Sequence, residues 1–264
     1  MIQALLWTAG GSGFTCLMTL LGAGMVFIVG RKHNPSLHRL MLGFAAGVMI
    51  AASMWSLLIP AIETAEEMGI PGWLPAAGGS VLGIAFLSLM DTLLPHLAPG
   101  CLHTDTQSDS RRRALLLALA VTLHNIPEGM AVGISFSLAA QVSHAALPAA
   151  LALALGIGIQ NFPEGAAIAL PLTHEGLSRR RAFAIGAISG IVEPIAALLT
   201  VLAAGRIQPM MPWLLSFAAG SMLYVVVEEL IPEANLRHNH QTHSGTLGVM
   251  AGFLIMMILD VALG

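Results

Sequence analysis

Residues 122–133 read TLHNIPEGMAVG: an otherwise apolar run that carries a histidine, an asparagine and a glutamate around a proline. Thirty-six residues on, GIQNFPEGAAIAL (158–170) repeats the arrangement, with Gln160, Asn161 and Glu164 in the places of His124, Asn125 and Glu128. Successive helical residues are about 100° apart, so with His124 at 0° Asn125 lies near 100° and Glu128 near 40°. Glu128 therefore falls between the two and can face a cation held by either. Gln160, Asn161 and Glu164 share that geometry. Pro127 and Pro163 remove backbone donors and leave the carbonyls of Leu123 and Ile159 without their usual helical partners. Gly129 and Gly165 permit close approach of another chain segment. Broken helices of this kind are tolerated in lipid only where they line a cavity or are buried in protein.

The rest of the chain says that lipid is the setting. Of 264 residues, 56% are hydrophobic and only 9% charged, against roughly 25% charged in globular proteins. The apolar content is aliphatic and small, which suits helices that pack closely in a membrane. The formal charge of −3 points to no nucleic-acid partner. Two cysteines, Cys16 and Cys101, cannot make a disulfide framework, and Cys16 reads as a buried bystander. No basic stretch precedes the first apolar segment, so a cleaved signal peptide is not expected.

A span needs about 20 apolar residues. Eight such runs lie between polar breaks: about 4–30, 39–62, 73–98, 114–139, 145–172, 182–204, 209–234 and 245–263. No break is long enough for a separate domain, so residues 1–264 are expected to form one integral membrane domain. Odd-numbered loops hold Arg31, Lys32, Arg39, Arg111, Arg112, Arg113, Arg179, Arg180, Arg181 and Arg237, whereas even-numbered loops hold only Arg206. By the positive-inside rule the odd loops are cytoplasmic and both termini lie outside.

Glu128, Glu164, Glu193, Glu228 and Glu229 fall inside spans. An ionisable group at the bilayer centre costs at least ~2.5–3.5 kcal/mol, so each needs a partner or a task. His124 lies eleven residues beyond Arg113 and Glu193 twelve beyond Arg181. At ~1.5 Å per residue both sit about 16–18 Å deep, near the middle of a ~30 Å core. Two antiparallel helices thus present matching nitrogen and oxygen ligands, and Glu193 arrives on a third. Imidazole with carboxylates suits zinc and its first-row neighbours, and the lack of thiolates argues against Cu(I).

HNIPEGMAVG followed by QNFPEGAAIALPL resembles the paired signature of helices four and five in the ZIP (Zrt-/Irt-like) metal transporters. AISGIVEPIAALL (187–199) is similar to the sixth-helix glutamate segment, and VVVEELIPEA (225–234) to the seventh-helix motif, of the bacterial GufA-like branch. The resemblance covers essentially the whole chain. It implies an all-α membrane protein of eight spans, with a binuclear site between broken helices four and five. One metal would be held by His124, Glu128, Gln160 and Glu164. The other would be held by Asn125, Asn161 and Glu193, with Glu128 and Glu164 shared. It also implies uptake of divalent metal, zinc first and cadmium, iron(II) or manganese(II) as further cargo, into the cytoplasm across the bacterial inner membrane. Helices one, four, five and six would move as an elevator against two, three, seven and eight. No organic cofactor is expected, and a homodimer is the assembly carried forward. Asn161 stands where some relatives have aspartate, so the second position carries less charge. Glu228 stands where many members have histidine.

Other polar residues line up behind the main motif. Glu63, Glu66 and Glu67 close the second span on the outside, where an acidic mouth concentrates cations; the resemblance adds Met49, Ser56 and Glu63 as an entrance route. Asp91, followed by Pro95 and His96, lies in the inner half of the third span on an exit route, and Glu228 and Glu229 join the pathway candidates. Cys101, His103 and Asp105, the pair His174 and Glu175, and His238, His240 and His243 are metal-friendly in composition but read as solvated loops. Two rival functions share the ligands. An intramembrane metalloenzyme would keep an open position and a base beside it, and no HExxH motif occurs; a channel or sensor differs only in how metal moves.

Overall fold

The computed structural model describes residues 2–28, 35–97, 106–141, 146–174, 176–235 and 243–263, which are almost entirely helical and contain no strand. Eight long helices follow the expected order. Helix α1 is Ile2–Ile28. Helix α2 runs through Pro35–Ala52, a π-helical turn at Ser53–Leu58, and Ile59–Glu67. Then come α3 (Trp73–Leu97), α4 (Thr106–Gln141), α5 (Leu147–His174) and α6 (Arg179–Ile207). Helix α7 runs through Met211–Val225, a second π-helical turn at Val226–Leu230, and Ile231–Asn235; α8 is Ser244–Leu263.

Over the described residues, seven of these helices are long and apolar enough to cross a membrane, which supports an integral multi-pass membrane protein. The eighth, α4, is the longest at 36 residues. Its described side chains include His124, Asn125 and Glu128.

The expectation of broken helices four and five needs correcting. Both α4 and α5 stay α-helical through Pro127 and Pro163, as α6 does through Pro194. Each proline therefore removes one donor from a continuous helix rather than opening a turn. Widening occurs elsewhere, before Pro60 and Pro232. A proline ring collides with the carbonyl four residues earlier, which here belongs to Ser56 and Glu228. Both lie inside the π turns, and the extra residue per turn makes room. Helix α2 also passes the expected end near residue 62 and continues to Glu67.

The helices sort into two groups. Helices α1, α4, α5 and α6 pack on one another; α2 packs along α8, α3 along α7, and the π turn of α2 against α7. The groups meet where α2 faces α5 and α4 faces α7. Lipid gives helices no hydrophobic reason to associate, so contact depends on how closely backbones approach. Glycines set that distance. A Cβ at Gly129 would overlap the Glu193 carbonyl (α4 on α6), and one at Gly165 the Thr19 carbonyl (α5 on α1). Gly47 and Gly252 do the same between α2 and α8, and Gly83 and Gly220 between α3 and α7. Fully buried Leu57, Ile134, Phe136, Leu153, Ile157 and Met256 belong to the large apolar cluster that joins the groups.

Candidate metal centre

The polar residues of the doubled motif all turn inward. His124, Asn125 and Glu128 of α4, Gln160, Asn161 and Glu164 of α5, and Glu193 of α6 are each at most 6% exposed. Gly129 and Gly165 account for much of this, because they let α4 press against α6 at Glu193 and α5 against α1 opposite Thr19.

Inside this interior the amides spend their donors on protein. Gln160 Nε2 donates to Glu128 Oε1 at 2.7 Å. Asn161 Nδ2 donates to Glu193 Oε2 at 2.7 Å and to the Thr15 carbonyl at 3.3 Å. Asn125 Nδ2 donates to the Ser189 carbonyl at 2.7 Å. What remains is a set of acceptor oxygens and one imidazole, which offers one lone pair and one N–H. Asn125 Oδ1, Glu128 Oε2, Gln160 Oε1, Asn161 Oδ1 and Glu193 Oε1 are buried without a hydrogen-bond partner, as are both nitrogens of His124. A buried polar atom left unpaired costs about 1–3 kcal/mol. The chemistry that satisfies oxygen and imidazole lone pairs together is a divalent cation. Glu164 and Glu193 also lie within electrostatic reach of Glu128, and a cation between them would offset that repulsion.

His124 also reaches the other helix group. Its Nε2 lies 3.6 Å from Glu229 Oε1 on α7. Asp91, His124 and Glu229 place one ligand atom each within 4.8 Å of one another, the one such trio of His, Cys, Asp and Glu among the described residues. Asp91 also hydrogen-bonds Tyr224 and lies within electrostatic reach of Glu228. Three helices therefore meet at this trio, α4 from one group and α3 and α7 from the other.

The remaining sequence candidates divide. Met49 and Ser56 are buried, whereas Glu63, Glu66, Glu67 and Glu228 are exposed. Ser56 Oγ donates to Asp260 Oδ1 across α2 and α8. Asp260, 7% exposed, had gone unnoticed; the signal was there, since it is the lone acidic residue of the last span and an ionisable group in lipid needs a reason. His243 is exposed. Cys101, His103, Asp105, Glu175, His238, His240, Arg31, Lys32 and Arg237 lie outside the described residues, as do the side chains of Pro95, His96, Arg111, Arg112, Arg113, His174 and Arg206.

Comparison with known proteins decides the family. The family model described as ZIP Zinc transporter matches residues 102–260, the stretch that holds both motifs, Glu193 and Glu229. The chain belongs to the ZIP family. It is 38% identical to the zinc transporter ZIP11 of Xenopus tropicalis over 96% of either chain. It is 38% identical to the zinc transporter ZIPB of Bordetella bronchiseptica over 99% of this chain and 81% of that one. To the zinc transporter GufA of Myxococcus xanthus it is 40% identical, over 84% and 86%. The last two place this ZIP protein with the GufA-like branch. ZIP proteins are a transport family rather than an enzyme family, which sets aside the metalloenzyme reading.

Proposed function

We propose that this ZIP protein carries divalent metal, zinc first and cadmium, iron(II) or manganese(II) as further cargo, across the bacterial inner membrane into the cytoplasm. One observation carries the reading. Five oxygens and two imidazole nitrogens, contributed by α4, α5 and α6, are buried without partners while the neighbouring amide donors are all engaged. Relatives named as zinc transporters support the choice of zinc.

In this reading the centre is binuclear and unequal. His124, Gln160, Glu128 and Glu164 take the transported ion. Asn125, Asn161 and Glu193 share Glu128 and Glu164 for a second ion. That second position relies on Glu193 for its only unshared charge, and two dications close together repel more strongly in a poorly solvated interior. The second ion therefore tunes rate or affinity. Metal leaves by way of His124, which is drawn toward Asp91 and Glu229. The α1/α4/α5/α6 group moves as an elevator against the α2/α3/α7/α8 group in a homodimer, with both termini outside. The division of packing contacts into those two groups supports the movement.

The test is initial-rate uptake of zinc, cadmium, iron(II) and manganese(II) by purified protein in liposomes. A carrier gives saturable, slow, zinc-preferring flux that is lost in Glu128→Ala and Glu164→Ala proteins. Fast, non-saturating flux would make it a channel, and wild-type uptake by both variants would remove the centre from the transport path.

A further inference from the structure

Met256 of α8 and Gly156 of α5 meet where the two helix groups face each other. Met256 is fully buried, and an added Cβ at Gly156 would overlap its Sδ. Among the described glycines, those that press on another helix's backbone do so within one group; Gly156 alone reaches across, and it meets a side chain. A backbone contact can only be held or broken. A methionine has three rotatable bonds and a polarizable thioether, so it can fill a gap in one state and withdraw in another.

The order of residues along the two helices gives this contact a position. Gln160 follows Gly156 by four residues and so lies on the same face of α5 one turn away; Asp260 bears the same relation to Met256 on α8. The helices run antiparallel across the proposed membrane, so Asp260 with Ser56 lies on one side of Met256 and Gln160 with Glu128 on the other. At the opposite end of the centre the path is less covered, since the Glu229 side chain beside His124 is 19% exposed. The centre is thus sealed at its Met256 end and reachable at its Glu229 end.

We propose that Met256 seated on Gly156 is the plug between the outer Ser56–Asp260 pair and the metal centre, and that its withdrawal admits a divalent cation from outside. This rests on the transport reading above. Met256 and Gly156 are positioning residues: the plug blocks the approach and ligates nothing in the closed state.

The test uses the full chain with Cys16→Ser and Cys101→Ser, carrying Gly156→Cys and Met256→Cys. An ideal Cβ at 156 lies 3.6 Å from Met256 Cγ, close enough to bring two cysteine Cβ atoms into the ~3.5–4.5 Å range a disulfide needs. In liposomes, oxidation should stop zinc uptake and reductant should restore it, so that the reduced protein is its own folding control. In detergent the oxidised protein should still bind zinc with a Kd within about threefold of the reduced form, a shift under 1 unit of log K. Separately, Gly156→Val should lower the maximal rate about tenfold by overfilling the contact, and adding Met256→Ala should restore it. Uptake by the oxidised protein that is undiminished yet still abolished by Glu128→Ala would overturn the plug and leave the transport reading standing. Loss of zinc binding on oxidation, or a Gly156→Val defect that Met256→Ala leaves unrelieved, would also overturn it. No zinc uptake by the reduced or the unmodified chain would bring down the transport reading together with the plug.

Discussion

Helices α4 and α5 and helices α2 and α7 all carry prolines and respond to them in opposite ways. In α4 and α5 the helix continues unchanged past Pro127 and Pro163, and the nearby Asn125 Oδ1, Glu128 Oε2, Gln160 Oε1 and Asn161 Oδ1 have no hydrogen-bond partner. In α2 and α7 a π turn opens before Pro60 and Pro232, and a polar contact sits at each: Ser56 bonds Asp260, and Glu229 lies against His124. The Leu-Ile-Pro sequence is the same in both, at 58–60 and 230–232. The contrast is one of degree: α4, α5 and α6 gather five unpartnered oxygens in one interior, whereas at the π turns Ser53 Oγ, Glu229 Oε2 and Asp260 Oδ2 are left so. The first has the character of a cargo site. The second has the character of a support with carboxylates placed at either end of the path.

The comparison breaks most sharply at the shared glutamates. Glu128→Ala and Glu164→Ala should reduce zinc uptake to background at unchanged expression and elution profile, because each removes a carboxylate from both ion positions. A large effect is also expected from the glycines that lock one group internally. Gly129→Val forces a side chain into the Glu193 carbonyl, and such overpacking costs typically about 1–3 kcal/mol; a lower melting temperature in detergent should accompany lost uptake. Gly156→Ala, across the two groups, meets only a flexible methionine and should leave the melting temperature close to wild type.

The support region should answer more mildly. Asp91→Asn and Glu229→Gln should slow zinc release about tenfold, roughly 1.4 kcal/mol, while equilibrium zinc binding persists; an equal loss of binding would move both residues into the cargo site. Smaller again are Glu193→Gln and Asn161→Ala, which should change KM or maximal rate yet keep measurable zinc uptake, whereas His124→Ala should cost far more. Equal and total loss in all three would make both ion positions obligatory and defeat the unequal centre.

The sequence made some of this legible and hid the rest for physical reasons. The order and number of the helices could be read because polar breaks punctuate a chain whose apolar runs are otherwise long. The inward face of α4 and α5 followed from helical periodicity, which fixes the direction of a side chain around its own axis. It does not fix the neighbour that arrives from elsewhere. Hence the pattern groups His124 with Glu128 and Glu164 but gives no sign of Glu229, which the fold sets 3.6 Å from it. Asp260 was missed because its partner Ser56 is 204 residues away, a pairing that no local pattern encodes. The π turns were missed for the reverse reason: a proline in an apolar run signals a break, and whether the helix breaks or widens depends on what packs around it.

The central claim is that the unpartnered atoms of α4, α5 and α6 hold the transported ion. Anomalous scattering at the zinc edge, from crystals of the protein grown with zinc, tests it most directly. The account predicts a principal peak among His124, Glu128, Gln160 and Glu164, with a weaker one near Asn161 and Glu193. Zinc found only at Asp91, His124 and Glu229, with nothing between α4 and α5 at saturating metal, would contradict it.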